Sequence, residues 1–177
     1  SAACARHGLA PGRFALYAGN LDRYQELDRL AAAAARVRAP VVVATHAADR
    51  APAPLRTVHA PDPGEARLLT FGAGVALLPR RAPGGFPVKL LNYLEARRAV
   101  VAHRQLAEGL VHDESAWLLG DGATPGDWAA AIDALLADPA RAARLGAGGR
   151  TVLERAHRPA ALARETLALV AALGPPR

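Results

Sequence analysis

Several residue types that would narrow the function at once are scarce in this chain. Methionine is absent from all 177 residues, and cysteine occurs once, at Cys4. A single cysteine excludes an internal disulfide framework, and no Cys/His spacing matches a zinc site, so we expect no bound metal and a reducing, cytoplasmic setting. From the absence of methionine, including at position 1, we expect a cut or processed fragment. No apolar run approaches the ~18 residues of a membrane-spanning helix, and the first residues form no apolar signal core.

Aromatic residues are also few, at 5% of the chain. The formal net charge of +6 comes from arginines that are spread along most of the sequence without a dense cluster. Because nucleic-acid sites combine a basic patch with stacking aromatics, we expect no nucleic-acid partner. An anionic small molecule or the anionic inner face of a membrane fits this charge better, so peripheral membrane association of the full protein stays open.

The length and the 51% hydrophobic content suffice for one domain with its own core. We expect a single domain over residues 1–177, with about 1–12 and 174–177 as tails. Continuous apolar segments alternate with helical patterns, which predicts a three-layer, Rossmann-like α/β domain with an open, mostly parallel sheet and helices on both faces. Ligands of such sheets bind at the carboxyl ends of the strands. The predicted strands are 14–18, 41–45, 57–59, 74–79, 99–102 and 116–119.

Helix signals separate these strands. Thr124 is typical of an N-cap, since Pro125 follows at the first helical position and an acidic residue lies in the first turn. The pattern predicts helices at Asp22 to Val37, Asp62 to about Thr70, Pro87 to the strand at 99, Thr124 to about 137, Ala140 to about His157, and Pro159 to Leu173.

The most informative stretch is 84–103, which contains Lys89, the only lysine of the chain. With Pro87 at the first helical position, Lys89 lies in the first turn, where backbone N–H groups and an ammonium can together hold a phosphate. The alternative is a solvent-exposed helix charge, the usual role of a lysine. The stretch resembles the donor-binding helix and following strand of retaining GT-B glycosyltransferases of the family 4, or group 1, superfamily.

In that superfamily the stretch reads roughly Pro-Leu-Lys-Leu-Leu-Glu-Tyr-Met-Ala-Ala-Gly-Lys-Pro-Val-Val-Ala. Three more segments are similar to it in the same order. Tyr17-Ala-Gly-Asn-Leu resembles the turn that opens its donor domain, although many such turns are plain strand-to-helix connections. The other two are Ala107 to Leu119 and Asp138 to Gly146, so that the resemblance covers about 14 to 157.

The resemblance implies one half of a GT-B architecture: the domain that binds a nucleotide-sugar as substrate, without a further cofactor. Transfer to an acceptor then needs an N-terminal acceptor-binding domain, and we expect the isolated chain to be inactive. The implied activity is a glycosyltransferase, hexosyl-type and retaining, and no catalytic residue is assigned. Arg80 is expected at the ligand rim, although a solvent-facing role is the alternative. The candidate donor-binding residues are Gly19, Asn20, His59, Arg80, Gly85, Phe86, Lys89 and Asn92.

Four positions depart from the superfamily pattern. Gly84 and Asn92 stand where it typically has glutamates, while Asn20 and Gln25 stand where it often has an Arg and a Lys for the phosphates. These departures favour an alternative, a non-catalytic binding or assembly module that has lost donor chemistry. The hypothesis of a nucleotide-binding oxidoreductase domain is less well supported, because no Gly-x-Gly-x-x-Gly follows the first strand. The sugar, the nucleotide and the acceptor are not specified by these residues.

Overall fold

A six-stranded parallel sheet forms the centre of the molecule, which this computed structural model describes over residues 2–80, 87–107 and 109–156. The strands are β1 (Ala15–Ala18), β2 (Val41–Thr45), β3 (Arg56–His59), β4 (Val75–Leu78), β5 (Ala99–His103) and β6 (Trp117–Leu119). Their order in the sheet is β3-β2-β1-β4-β5-β6, so the chain moves outward from β1 to one edge and then returns to β4 on the other side of β1. The predicted α/β class with a parallel sheet is confirmed.

The ladder between β1 and β4 is short. β1 pairs with β2 along its full length, from Ala15 to Ala18, but it pairs with β4 only at Ala15 and Leu16. The last two residues of β1 therefore have no pairing partner on β4. Since the order of the strands reverses between β1 and β4, this gap lies where α/β sheets of this kind bind ligands.

Helices cover both faces of the sheet because the strands are apolar on both sides. The helices are α1 (Ala2–Arg6), α2 (Leu27–Ala34), α3 (Pro63–Gly72), α4 (Val88–Glu95), α5 (Pro125–Ala137) and α6 (Pro139–Ala156). On one face α2 and α5 pack over a core that includes Tyr17, Val43 and Trp128. On the other face α1 and α3 pack over a core around Leu16, and α4 packs over a neighbouring core around Leu78.

Helix α6 contacts the cores on both faces, since Leu145 belongs to the core under α5 while Val152 packs against the core under α4. Its middle carries glycines where the helix lies directly on two turns. A Cβ at Gly146 would lie 2.1 Å from the carbonyl oxygen of Arg97, and one at Gly148 would lie 2.1 Å from that of Glu114. The absence of side chains at these positions allows the helix to approach the turns this closely.

Three details differ from the sequence prediction. The predicted helix from Asp22 to Val37 is divided into a 3-10 turn (Arg23–Gln25) and α2, because Glu26 between them adopts a left-handed conformation with φ of 52°. Pro87 is the N-cap of α4 instead of its first helical residue. The stretch assigned to an N-terminal tail contains α1, whose Cys4 is buried against α3. The predicted helix at 159–173 lies outside the described residues.

The predicted start of α5 is confirmed in detail. Thr124 and Asp127 form a capping box, in which each side chain accepts a hydrogen bond from the other residue's backbone N–H. Thr124→Ala should therefore lower the free energy of unfolding by about 1 kcal/mol. Urea denaturation measures this, with Thr151→Ala in α6 as a control that removes a threonine from a helix without removing a cap. Equal losses in both variants would contradict the role of the box.

No helix within the described ranges has both the length and the apolar character needed to cross a membrane.

Candidate functional site

The candidate site lies where the β1–β4 ladder stops. Gly19 and Asn20 follow β1 at this edge of the sheet, and Arg80 follows β4. The backbone N–H of Ala18, which has no partner on β4, donates to the hydroxyl of Tyr93 on α4 at 2.9 Å. Tyr93 is fully buried, so α4 is anchored to β1 by a side chain where the strands separate. This anchor brings the first turn of α4 to the end of β1.

Lys89, in that first turn, points across the gap toward Tyr17. Its Nζ donates to the Tyr17 hydroxyl at 2.6 Å and to Oε1 of Gln25 at 3.2 Å. The ammonium also lies 4.1 Å from the centroid of the Tyr17 ring, within the range of a cation–π contact. Lys89 therefore joins the two sides of the switch point, one supplied by β1 and the turn after it, the other by α4.

Burial and a neighbouring cation lower the pKa of Lys89 to about 8 from its ordinary value near 10.5. Burial is the larger cause, Arg80 adds to it, and Asp22 acts in the opposite direction. Burial also raises the pKa of Tyr17, so this hydroxyl stays protonated under ordinary conditions. The region between the two cations is therefore electrostatically suited to an anion.

The turn after β1 is held by side-chain hydrogen bonds. The Tyr17 hydroxyl donates to the carbonyl oxygen of Asn20 at 2.8 Å, and Nε2 of Gln25 donates to Oδ1 of Asn20 at 3.2 Å. Nδ2 of Asn20 donates to the Asp22 carboxylate. Arg80 is buried, with its guanidinium carbon 5.6 Å from the ring centroid of the half-exposed Tyr24. The structure thus brings Gly19, Asn20, Arg80 and Lys89 together, and their predicted contact with a donor stays a prediction.

A pocket of about 190 Å³ adjoins Gly19, and Lys89 is not among its lining residues. It opens at the carboxyl ends of β1, β2 and β3, and the N-terminus of α3 forms its far wall. Most of the lining is apolar, and His46, Thr45 and Asp62 add polar groups. The size and the mixed lining suit one planar polar ring. Its lining residues are Gly19, Ala44, Thr45, His46, Ala60, Pro61, Asp62, Pro63 and Ala66.

The remaining candidates are placed as follows. His59 is exposed at the end of β3 and lines a separate pocket of about 560 Å³ with the loop after β2, not the pocket next to Gly19. Asn92 is exposed on α4 and is not buried among apolar side chains. Its predicted contact with a donor stays a prediction. The candidates Gly85 and Phe86, and the substituted position Gly84, lie outside the described residues.

The roles of Tyr17 and Tyr93 were not predicted from the sequence, and Gln25 was predicted only as the loss of a charge. One signal was available for Tyr17, since it comes two residues before the Gly turn of a buried strand and has a polar tip in an otherwise apolar run. Tyr93 gave no such signal, because a buried tyrosine on an amphipathic helix is ordinary core. Within 2–80, 87–107 and 109–156, no three potential metal-ligating side chains of His, Cys, Asp or Glu come together.

Gly19 is required by its surroundings as well as by its backbone. A Cβ there would lie 2.6 Å from Nζ of Lys89 and 3.0 Å from the Tyr17 hydroxyl, and its φ is +156°. Gly19→Ala should thus lower the free energy of unfolding by about 1–3 kcal/mol through backbone strain. It should also displace the Lys89 ammonium and weaken the binding of an anionic ligand held by that ammonium. Urea denaturation and titration calorimetry measure the two effects.

Gly12→Ala is the matched control for this prediction. Gly12 has φ of +74°, and nothing lies within 4 Å of the position of its Cβ. The control should lose stability to a similar extent and keep the ligand affinity of the unchanged chain. If Gly19→Ala also kept that affinity, the contact between Gly19 and Lys89 would have no part in binding.

Solved structures share this arrangement of strands and helices. Sucrose-phosphate synthase from Thermosynechococcus elongatus matches 97% of this chain with a TM-score of 0.77 at 22% identity. Anabaena HepE in complex with UDP matches 96% with a TM-score of 0.79 at 12% identity. The C-terminal domain of a glycosyl transferase group 1 family protein, LpcC from Francisella tularensis, matches 82% with a TM-score of 0.65 at 14% identity. The chain has the fold of a GT-B glycosyltransferase domain.

The match extends over 86% of the LpcC domain but over only 48% of sucrose-phosphate synthase and 51% of HepE. The chain thus spans about half the length of these two solved chains. No protein-family model matches the sequence, and no curated protein does. The predicted GT-B resemblance is confirmed at the level of the fold, while the activity must be argued from the site.

Proposed function

We propose that this chain is the domain of a glycosyltransferase that binds a nucleotide-sugar donor. The position of Gly19 carries the proposal, because this residue lines the pocket and also lies beside Lys89, whose Nζ would be 2.6 Å from a Cβ at position 19. A nucleobase in the pocket would direct its diphosphate across Gly19 toward Lys89 and Arg80. Related folds support this choice of ligand, since HepE structures were obtained with UDP and with UDP-glucose.

In this proposal Lys89 stabilises the leaving nucleoside diphosphate. Negative charge develops on the diphosphate when the bond to the sugar breaks, and a fixed ammonium in a partly buried site favours that charge more strongly than water does. Gly19 allows the phosphate groups to approach the backbone closely. The same proposal includes a hexosyl donor and transfer with retention of configuration. It also places the activity in the cytoplasm, where the full protein would reach the inner face of the membrane.

Ligand binding tests the proposal directly. UDP, GDP, ADP and UDP-glucose are titrated into the chain, and thermal unfolding is followed at each concentration. A nucleotide that binds should stabilise the fold by ~2.7 kcal/mol at 100 times its dissociation constant. Uridine without phosphate should stabilise it much less, because it cannot contact Lys89. If no nucleoside diphosphate or nucleotide-sugar changed the unfolding temperature, the proposed function would be wrong.

The isolated chain should bind donor without transferring sugar. Positioning two reactants supplies ~7–11 kcal/mol of a reaction barrier, and we propose that an N-terminal acceptor-binding domain positions the second one. Labelled nucleotide-sugars and a panel of acceptors, assayed with the 177-residue chain, should give no transfer. Addition of a separately expressed acceptor domain should restore it. Sugar transfer by the chain alone at ordinary enzymatic rates would contradict the proposal that a second domain positions the acceptor.

A second candidate function is a non-catalytic binding or assembly module. One observation favours it: Asn20 and Gln25 are engaged with each other and supply no charge to the crevice. Such a module would keep the fold and the nucleotide pocket but would not support transfer with any acceptor domain. The experiment with the added domain therefore separates the two candidates, provided that the chain binds a nucleotide-sugar.

A further inference from the structure

The hydrogen-bond acceptors around Lys89 are neutral. Its ammonium donates to a tyrosine hydroxyl and to a glutamine amide oxygen, and across the described parts of the chain it forms no ion pair with a carboxylate. Asp22 and Arg80 are the charged groups near enough to shift its pKa, and they act in opposite directions. Because no carboxylate neutralises it, the ammonium of Lys89 is available to an anionic partner while it is protonated.

Both acceptors are themselves held in a defined orientation. Tyr17 donates its single hydroxyl proton to the carbonyl oxygen of Asn20, so its lone pairs face Lys89. Gln25 is buried and donates its Nε2 to Asn20, so its oxygen faces Lys89. A glutamate at position 25 could still accept from Lys89, but it could not donate to Oδ1 of Asn20, because a carboxylate is only an acceptor. An amide satisfies both neighbours without neutralising the ammonium.

We propose that Tyr17 and Gln25 are positioning residues for donor binding, which fix the Lys89 ammonium beside Gly19 and leave its charge available to the diphosphate. This inference rests on the proposed function for the identity of the ligand. Its geometric part does not, since it concerns the state of Lys89 in the free chain. The two parts can therefore be tested separately.

The free chain offers a direct measurement, because Lys89 is the only lysine. Growth with isotope-labelled lysine gives one side-chain NMR signal, whose titration between pH 6.5 and 11 reports the pKa of Lys89 alone. Gln25→Glu should raise this pKa by about 1 unit or more, because an opposite charge would lie within hydrogen-bond reach. The matched control is Gln105→Glu, which adds the same charge at the exposed Gln105 after β5. The control should leave the pKa nearly unchanged.

The affinity for UDP provides the second measurement. Gln25→Glu should weaken UDP binding about tenfold or more at pH 7, since the carboxylate competes for the ammonium and repels the diphosphate, while Gln105→Glu should not. Tyr17→Phe keeps the ring and removes the hydroxyl, and it should also weaken binding. A loss of affinity caused by unfolding is recognised by the thermal unfolding curve of each variant, which should remain cooperative.

An exchange of the side chains at positions 25 and 89 distinguishes a role in positioning the ammonium from a general role in stabilising the fold. Lys89→Gln alone should lose affinity for UDP, and Lys89→Gln combined with Gln25→Lys should regain about tenfold of it, because the ammonium then reaches the same point from the other side. An unchanged Lys89 pKa in Gln25→Glu, or no recovery in the exchanged variant, would overturn the inference. If the unchanged chain bound no nucleotide while the pKa shift occurred, the proposed function would fail and the geometry around Lys89 would stand.

Discussion

Replacing Lys89 by methionine should weaken the binding of UDP-glucose by about 1–3 kcal/mol, the usual effect of losing a charge-assisted hydrogen bond. Methionine keeps most of the length of the side chain, so the first turn of α4 and the buried Tyr93 should stay in place. Calorimetric titration at pH 7 measures the loss. Lys89→Arg is the conservative control, since it keeps a positive charge at the same position, and it should retain more of the affinity than methionine does.

The affinity should also depend on pH through the same group. In the free chain Lys89 loses its proton at a pKa of about 8, and a bound diphosphate favours the charged form. Binding of UDP-glucose should therefore be strongest below pH 8 and should weaken as the pH rises above it. The Lys89→Met and Lys89→Arg variants should not show this dependence. A flat profile for the unchanged chain between pH 7 and 9.5 would remove Lys89 from the binding site.

Stability should change with pH in the opposite sense. Between about pH 8 and 10.5 the unfolded chain keeps the lysine proton that the folded chain has lost, so the free energy of unfolding should rise with pH. The slope relative to Lys89→Met should be at most about 1.4 kcal/mol per pH unit, and partial exposure of the side chain reduces it. Urea denaturation at pH 7, 8.5 and 9.5 gives this difference between the two chains.

Alanine at Gly148 or Gly146 should destabilise the fold even though alanine favours helices. The added Cβ would lie 2.1 Å from a backbone carbonyl oxygen at either position, and a backbone group cannot move aside as a flexible side chain can. Overpacking of this kind costs about 1–3 kcal/mol, which outweighs the ~1 kcal/mol gained from helix propensity. Combining the two substitutions should lower the stability further, because both force α6 away from the turns beneath it.

Gly122→Ala is the control for this series. Nothing lies within 4 Å of the position of a Cβ at Gly122, so this variant should remain within about 0.5 kcal/mol of the unchanged chain. Urea denaturation of the three single variants and the double variant gives the comparison. A Gly148→Ala variant as stable as the unchanged chain would show that α6 can shift without loss of packing.

Most of the sheet was predictable because all of its strands except β3 lie in continuous apolar segments of the sequence. Val41–Thr45 is buried along its whole length, as expected for a strand covered on both faces. The division of the helix after β1 was not predictable, because Glu26 in a left-handed conformation carries no sequence signal of the kind that glycine gives. The conformation is imposed by tertiary contacts, which bury Gln25 and Leu27 on either side of it.

For the site, the sequence predicted the group formed by Gly19, Asn20, Arg80 and Lys89, since all four lie near the carboxyl ends of β1 and β4 or at the following helix. It did not predict which groups would contact the ammonium. The Lys89–Gln25 bond joins residues 64 positions apart, and the Lys89–Tyr17 bond joins residues 72 apart. Hydrogen bonds over such separations depend on how far two strands diverge, a property that residue patterns do not encode.

The short ladder between β1 and β4 divides the sheet into two groups of three strands. Beyond Leu16 the trio β3-β2-β1 and the trio β4-β5-β6 have no backbone bonds between them, and side chains such as Tyr93 and Lys89 join them at that end. Each trio supplies one wall of the crevice. Substitutions in the loops of one trio can thus reshape its wall while the hydrogen-bonded ladder of the other stays intact. A change of ligand preference therefore requires no change in the register of the sheet.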